Sequence, residues 1–185
     1  MIETERLLLR PWRETDKDDY VRIINTPAMM EHFGGPQRRE VHDSLVDRMM
    51  AAQARDGHCM WAVEGRATGE LIGICGVRIG GHEGTPVPDV LEIGWRIGER
   101  WWGQGIAREA AAASLAWAWA NTDRPFVAAW TNPANDRSWG LMRRLGMVRR
   151  PELDFRHPQY RTDDPLGGMI VYTIDRPAGS SPANR

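Results

Sequence analysis

Apolar runs, and the spacing within them, divide the chain into short strands alternating with helices. Residues 6–12 (RLLLRPW) form a brief apolar run stopped by Pro11, which predicts a first strand. Thr15 then precedes Asp16, Lys17, Asp18 and Asp19, the pattern of an N-cap followed by acids in a first helical turn. Tyr20, Ile23 and Ile24 give that helix an apolar face, and Pro27 closes it. Val41, Leu45, Met49 and Ala52 recur at helical spacing and predict a second amphipathic helix over about residues 38–55, ended by Gly57.

Two strands follow, over residues 60–63 and 71–79, with a turn near Gly65 and Gly69, then a Gly- and Pro-rich loop over 80–89. Residues 90–97 (VLEIGWRI) predict another strand, in which Gly94 marks a bulge or a close backbone approach. Residues 104–120 are rich in the best helix former and give the strongest helical signal. A strand over 125–130, a helix over 135–145 capped by Gly146, and a last strand over 168–174 complete the pattern. The mixture, with no fixed-period repeat, predicts an α/β (α+β) class. A single domain spans residues 1–176 on this reading, and residues 177–185 form a disordered tail.

Composition narrows the function. The 185 residues carry 24 Lys and Arg against 25 Asp and Glu, a net charge of −1, which argues against a general nucleic-acid partner. Cys59 and Cys75 are too few for a disulfide framework and sit in apolar runs, where buried free thiols are expected. The start, MIETER, lacks the order of a secretory leader, and no apolar run reaches the ~18 residues of a membrane span. The expectation is a cytoplasmic protein with neither a nucleic-acid nor a membrane partner, and with no metal.

The candidate chemistry lies between residues 90 and 120, where a strand leads through Trp101-Trp102-Gly103-Gln104-Gly105-Ile106-Ala107 into a helix. Glycines at a helix entry let main-chain amides face outward, and the first amides of a helix lack internal acceptors and carry its positive dipole end. The combination forms a phosphate cradle. From Arg96 to Arg108 there are three arginines and one acid, Glu99. Glu109 comes late, so the first turn has room for an anion brought by a ligand. The P-loop signature is absent, and Arg108 stands where a dinucleotide fingerprint needs its third glycine. A second cluster spans residues 132–146 (NPANDRSWGLMRRLG). Asn135, Ser138 and Met142 share one helical face, with Asn135 able to serve as cap or ligand. Five arginines and no acid fall within residues 137–150, either a solvated basic face or a partner for a polyanion.

At these residues the sequence resembles the GNAT N-acetyltransferase superfamily, and most closely the branch that acetylates the N-termini of ribosomal proteins. The likeness covers about residues 3–176. Thr4-Glu5-Arg6-Leu7-Leu8-Leu9-Arg10-Pro11-Trp12 is similar to that branch's opening strand, Trp102-Gly103-Gln104-Gly105-Ile106-Ala107 to its pyrophosphate loop, and residues 132–146 to its second cofactor motif. The resemblance implies a mixed, partly splayed central sheet flanked by helices, with acetyl-CoA as cosubstrate in the cleft. By analogy Trp102, Gly103, Gln104, Gly105, Ile106 and Ala107 bind the pyrophosphate, Trp95 and Ile97 pair with the pantetheine, and Asn135 and Ser138 complete the cofactor site. An amide near a Gly94 bulge would meet the developing oxyanion. The implied reaction moves acetyl to a primary amine, on an N-terminal peptide or a small molecule, by direct attack in a ternary complex of a monomer or homodimer. Many members carry a tyrosine acid where this chain has Met142, which has no proton to give; Ser138 is the substitute acid and Glu92 the candidate base. Met142 also leaves open a non-catalytic acyl-CoA sensor.

Overall fold

The computed structural model describes residues 1–179. Nine strands form an open sheet in the order β1-β2-β3-β4-β5-β6-β9-β7, with β8 pairing β9. They are β1 (Ile2–Glu3), β2 (Leu7–Arg10), β3 (Met60–Gly65), β4 (Leu71–Gly80), β5 (Val90–Ile97), β6 (Phe126–Thr131), β7 (Val148–Arg149), β8 (Phe155–Arg156) and β9 (Gly168–Asp175). Four helices flank the sheet: α1 (Lys17–Ile24), α2 (Arg39–Asp56), α3 (Ile106–Asn121) and α4 (Asp136–Arg144). The predicted mixed class holds, and the longer predicted elements are all present. Pro177 to Gly179 follow β9; the rest of the predicted tail lies outside the described residues.

All pairings are antiparallel except β5 with β6, which meet in parallel at the single register pair Glu92–Ala128. A parallel pair needs a crossover, and α3 supplies it. Its buried side is Ala110, Ala111, Ser114, Leu115 and Ala118, small enough to bring the helix close to the sheet. Trp61 of β3 packs edge-on against Trp117 of α3 at 5.0 Å. Past the Glu92–Ala128 pair the two strands part, which makes the sheet splayed.

Side chains alternate across β5. Cys75 of β4, the register partner of Trp95, touches Ser114 of α3, so Leu91, Ile93, Trp95 and Ile97 face α3. Glu92, Gly94 and Arg96 face the opposite way, toward α1 and α2. Near β5's start, Ala128, Phe155, Met169, Val171, Val87 and Val90 form a second, smaller core.

Three local expectations need correction. Thr15 is not the cap of α1; Asp16 is, after a turn of 3-10 helix over Glu14–Asp16. The buried face of α2 is His42, Val46, Met49 and Ala52, while Val41 is exposed, so its inward stripe starts one residue later than the spacing suggested. Gly94 is not at a bulge: the β4–β5 register runs unbroken from Gly73–Ile97 to Gly80–Val90. It marks a close approach instead, because a Cβ there would lie 2.6 Å from Met60 Cε.

Candidate active site

The mouth of α3 is built from main chain. Gly103 and Gly105 have φ of +74° and +78°, a left-handed geometry that side chains resist, and a Cβ on Gly103 would meet nothing within 4 Å. The Trp102 indole donates to the Ile97 carbonyl at 2.6 Å and ties the loop to the end of β5. The first main-chain bond of the helix runs from the Glu109 amide to the Gly105 carbonyl, at 3.0 Å. The amides of Gly103, Gln104, Gly105, Ile106, Ala107 and Arg108 make no well-formed hydrogen bond among the described residues.

Side chains here are occupied with holding that shape. Gln104 Nε2 donates to the Arg100 carbonyl at 2.8 Å, and Ile106 is buried, so both offer the mouth only their amides. Glu109 does stand in the first turn, contrary to the expected gap, but its carboxylate is turned away. It accepts from Thr4 Oγ1 at 2.6 Å, the Arg6 amide at 2.9 Å and Arg6 Nε at 2.6 Å. Burial opposes its charge, yet these three donors hold its carboxyl below the usual value. Glu109 thus anchors the β1–β2 turn and leaves the mouth without an internal anion.

The gap between β5 and β6 opens beside this mouth. Gly98 donates its amide to the Ile72 carbonyl at 3.0 Å, which fixes the alternation: main-chain groups of Gly94 and Arg96 point at β4, and those of Trp95 and Ile97 at the gap. With β6 departing after Glu92, the Trp95 amide and carbonyl have no strand partner. The Ile97 carbonyl is taken by Trp102, leaving its amide.

On the opposite face, Glu92 is buried, with Oε2 2.6 Å from Arg78 Nη2 across the β4–β5 register. Burial raises its pKa, and Arg78 and then Arg96 pull against that. Beyond Arg78 the His82 and His157 rings meet edge-on at 4.2 Å. Phe155 and Trp130 pack beside them, 5.6 Å apart, and Tyr160 lies 5.7 Å from His157. Burial, then His82 and Arg78, lower His157 to about 4; burial, then Arg78, lowers His82. Both shifts favour the neutral imidazole. Alternation singled out Glu92, but Arg78, His82, Trp130 and Tyr160 carried no sequence signal, because they come from separate segments.

The α4 helix supplies the third wall. Asn135 is its cap: Oδ1 accepts from the Ser138 amide at 3.1 Å. Ser138 is half-buried, and its hydroxyl has no hydrogen-bond partner among the described residues. Met142 is buried. The five arginines divide. Arg149 and Arg150 pair with Asp154 and Glu152, Arg143 and Arg144 are exposed, and the Arg137 guanidinium lies 4.4 Å over the Trp102 ring beside the mouth. A cleft of about 670 Å³ adjoins the mouth, lined by Gln104 and Ile106 with Arg6, Arg66 and Arg100; its cations are matched by Glu109, Glu3 and Glu70, so it keeps little charge for an anion.

A splayed mixed sheet, with an amide-lined helix mouth at the split, is the architecture of an acyl-CoA acyltransferase. The GNAT acetyltransferase domain family matches residues 6–148, and the chain belongs to that family. It is an acyltransferase that performs acetyl transfer. It is similar to the uncharacterized N-acetyltransferase YoaA of Bacillus subtilis (strain 168), 24% identical over 179 residues and covering 96% of this chain and 97% of the relative. Among solved structures, an acetyltransferase from Agrobacterium tumefaciens str. C58 is 28% identical, with a TM-score of 0.75, covering 94% of this chain and 92% of that one. RimL, a ribosomal L7/L12 α-N-protein acetyltransferase solved with coenzyme A, shares the fold at 17% identity and a TM-score of 0.72, covering 93% and 95%. Among the described residues no helix is long and apolar enough to cross a membrane.

Proposed function

We propose that the chain uses acetyl-CoA to acetylate a primary amine, on an N-terminal peptide or a small molecule, by direct attack in a ternary complex. The observation that carries this reading is the run of unpaired amides from Gly103 to Arg108 at a mouth whose own carboxylate, Glu109, is held aside. The residues fit a diphosphate: six successive amides lack a well-formed partner, the space beside Gly103 is open, and Arg137 adds a cation nearby.

Acetyl-CoA supplies the acetyl group as an activated thioester. The amides of Gly103 to Ala107 bind its diphosphate. The Ile97 amide and the Trp95 carbonyl pair with the pantetheine arm along the gap, and the Trp95 amide, rather than one at a bulge, faces the oxyanion. Glu92 removes a proton from the amine as the carbon–nitrogen bond forms, directly or through one water. A carboxylate whose pKa is raised by burial is better matched to that task than an exposed one. Ser138 gives a proton to the sulfur as the carbon–sulfur bond breaks. Asn135 serves this site by capping α4 and so positioning Ser138.

Thiol release from acetyl-CoA in the presence of amines and N-terminal peptides tests this reading. Acceptor-dependent release is the expected result; a Tm raised by acetyl-CoA with no acceptor consumed would overturn it.

A further inference from the structure

Arg96 stands two residues beyond Gly94 on the acceptor-side face of β5. It is half-buried and forms no ion pair among the described residues. Its guanidinium lies 4.0 Å over the ring of Phe33, in the segment between α1 and α2. Beside it are two polar groups enclosed in the core, Tyr20 Oη and His42 Nε2; the guanidinium lies within reach of the Tyr20 hydroxyl, and neither group has a well-formed hydrogen bond. Arg96 is the cation that acts most strongly on each of them. A half-buried guanidinium stacked on an aromatic plate, and in no ion pair among the described residues, is a preorganised oxyanion receptor.

Charge on this face gives the same answer. Arg78 pairs with Glu92, Asp43 pairs with Arg39, burial favours the neutral form of both imidazoles, and Arg96 adds a positive charge that no ion pair takes up. That charge repels a simple alkylammonium ion and welcomes an amine that brings its own anion. Arg96 shares its strand face with Glu92 and is close enough to act on its carboxylate, so an anion held at Arg96 stands near an amine presented to Glu92.

We infer that Arg96 is a specificity-determining residue for the acceptor, and that the preferred acceptor is a primary amine bearing a carboxylate close to the reacting nitrogen. The inference rests on the acetyl-transfer reading above. The carboxylate can be the α-carboxylate of a free amino acid or an acidic side chain near a peptide N-terminus, and the two sources are separable.

The test measures thiol release from acetyl-CoA with matched acceptors: the common amino acids against their amides, and the peptide amide Ala-Glu against Ala-Gln. The carboxylate form is expected to be favoured by about 10–100-fold in kcat/KM, the range for a hydrogen bond to a charged group. The favoured arm identifies the source. Arg96→Gln should remove the preference chiefly through KM, Arg96→Lys should restore part of it, and Phe33→Leu should weaken it with the charge intact. Equal use of acid and amide forms, turnover of neither, or an Arg96→Gln loss confined to kcat would overturn the assignment. The rise in Tm with acetyl-CoA, read on the same samples, reports separately on the cofactor site. A protein that responds to acetyl-CoA but ignores the acceptor's carboxylate refutes only the role of Arg96; one whose Tm does not respond refutes the acetyl-CoA reading itself.

Discussion

The two faces of β5 do different work with different materials. On the α3 side the site is main chain: six consecutive amides freed by two glycines and a helix start, with Glu109 and Gln104 committed to bracing it. On the α1 and α2 side it is side chain: Glu92 on Arg78, two imidazoles in contact, and Arg96 over Phe33. A main-chain site is set by a few adjacent residues and suits a ligand part common to a whole family. A side-chain site draws on β4, β5, β6, β8 and the α1–α2 connection, and can change with each acceptor. The first should fail through backbone substitutions and the second through loss of individual charges.

The largest effect is expected on the main-chain side. At 100 times its Kd, acetyl-CoA should stabilise the wild-type protein by about 2.7 kcal/mol. That is a rise in Tm of roughly 5–10 °C for a chain of this length. Gly105→Glu should abolish the rise, because it sets a carboxylate at the mouth. An undiminished rise in that variant would mean the amides are not the anion site.

Next comes the acceptor side. Glu92→Gln should lower kcat by about 10²-fold or more while the Tm rise with acetyl-CoA persists. The sign of the pH dependence follows from the raised pKa of Glu92: the base acts when deprotonated, so kcat/KM should climb with pH through a value above the ordinary carboxylate range. Glu92→Gln should remove that limb of the profile, and a limb that survives would assign it to another group. Ser138→Ala should lower kcat about 10-fold, the small end of acid–base effects, with KM for acetyl-CoA little changed. Wild-type kcat in Ser138→Ala would leave the serine without a proton to move.

The smallest effect tests where the two kinds of material meet. Asn135→Ala removes a helix cap and should cost about 1 kcal/mol, roughly 2–4 °C in Tm. Its acetyl-CoA-induced rise should equal that of the wild type. A diminished rise would make Asn135 a cofactor ligand as well as a cap.

The same contrast explains what could be read in advance. The Trp102–Ala107 loop, the alanine-rich α3 and the alternation that isolates Glu92 are properties of adjacent residues, so the mouth and the candidate base were visible in the sequence. The short strands β1, β7 and β8 were not, since two residues carry no periodicity. The inward stripe of α2 was displaced because Val41 is more apolar than His42, yet the imidazole is the group buried against Tyr20. Pairing of Arg78 with Glu92, and of His82 with His157, depends on strand register and on the fold of the 80–89 and 157–167 segments. The late position of Glu109 suggested an absent acid; the structure instead turns it onto Thr4 and Arg6, more than a hundred residues away in sequence.

A crystal structure with coenzyme A decides whether the mouth of α3 is the cofactor site. The diphosphate should be hydrogen-bonded to the amides of Gly103–Ala107, with the pantetheine arm lying in the gap beside Trp95 and Ile97. A nucleotide bound elsewhere, such as in the cleft beside Arg6 and Arg100, with those amides left bare, would contradict it.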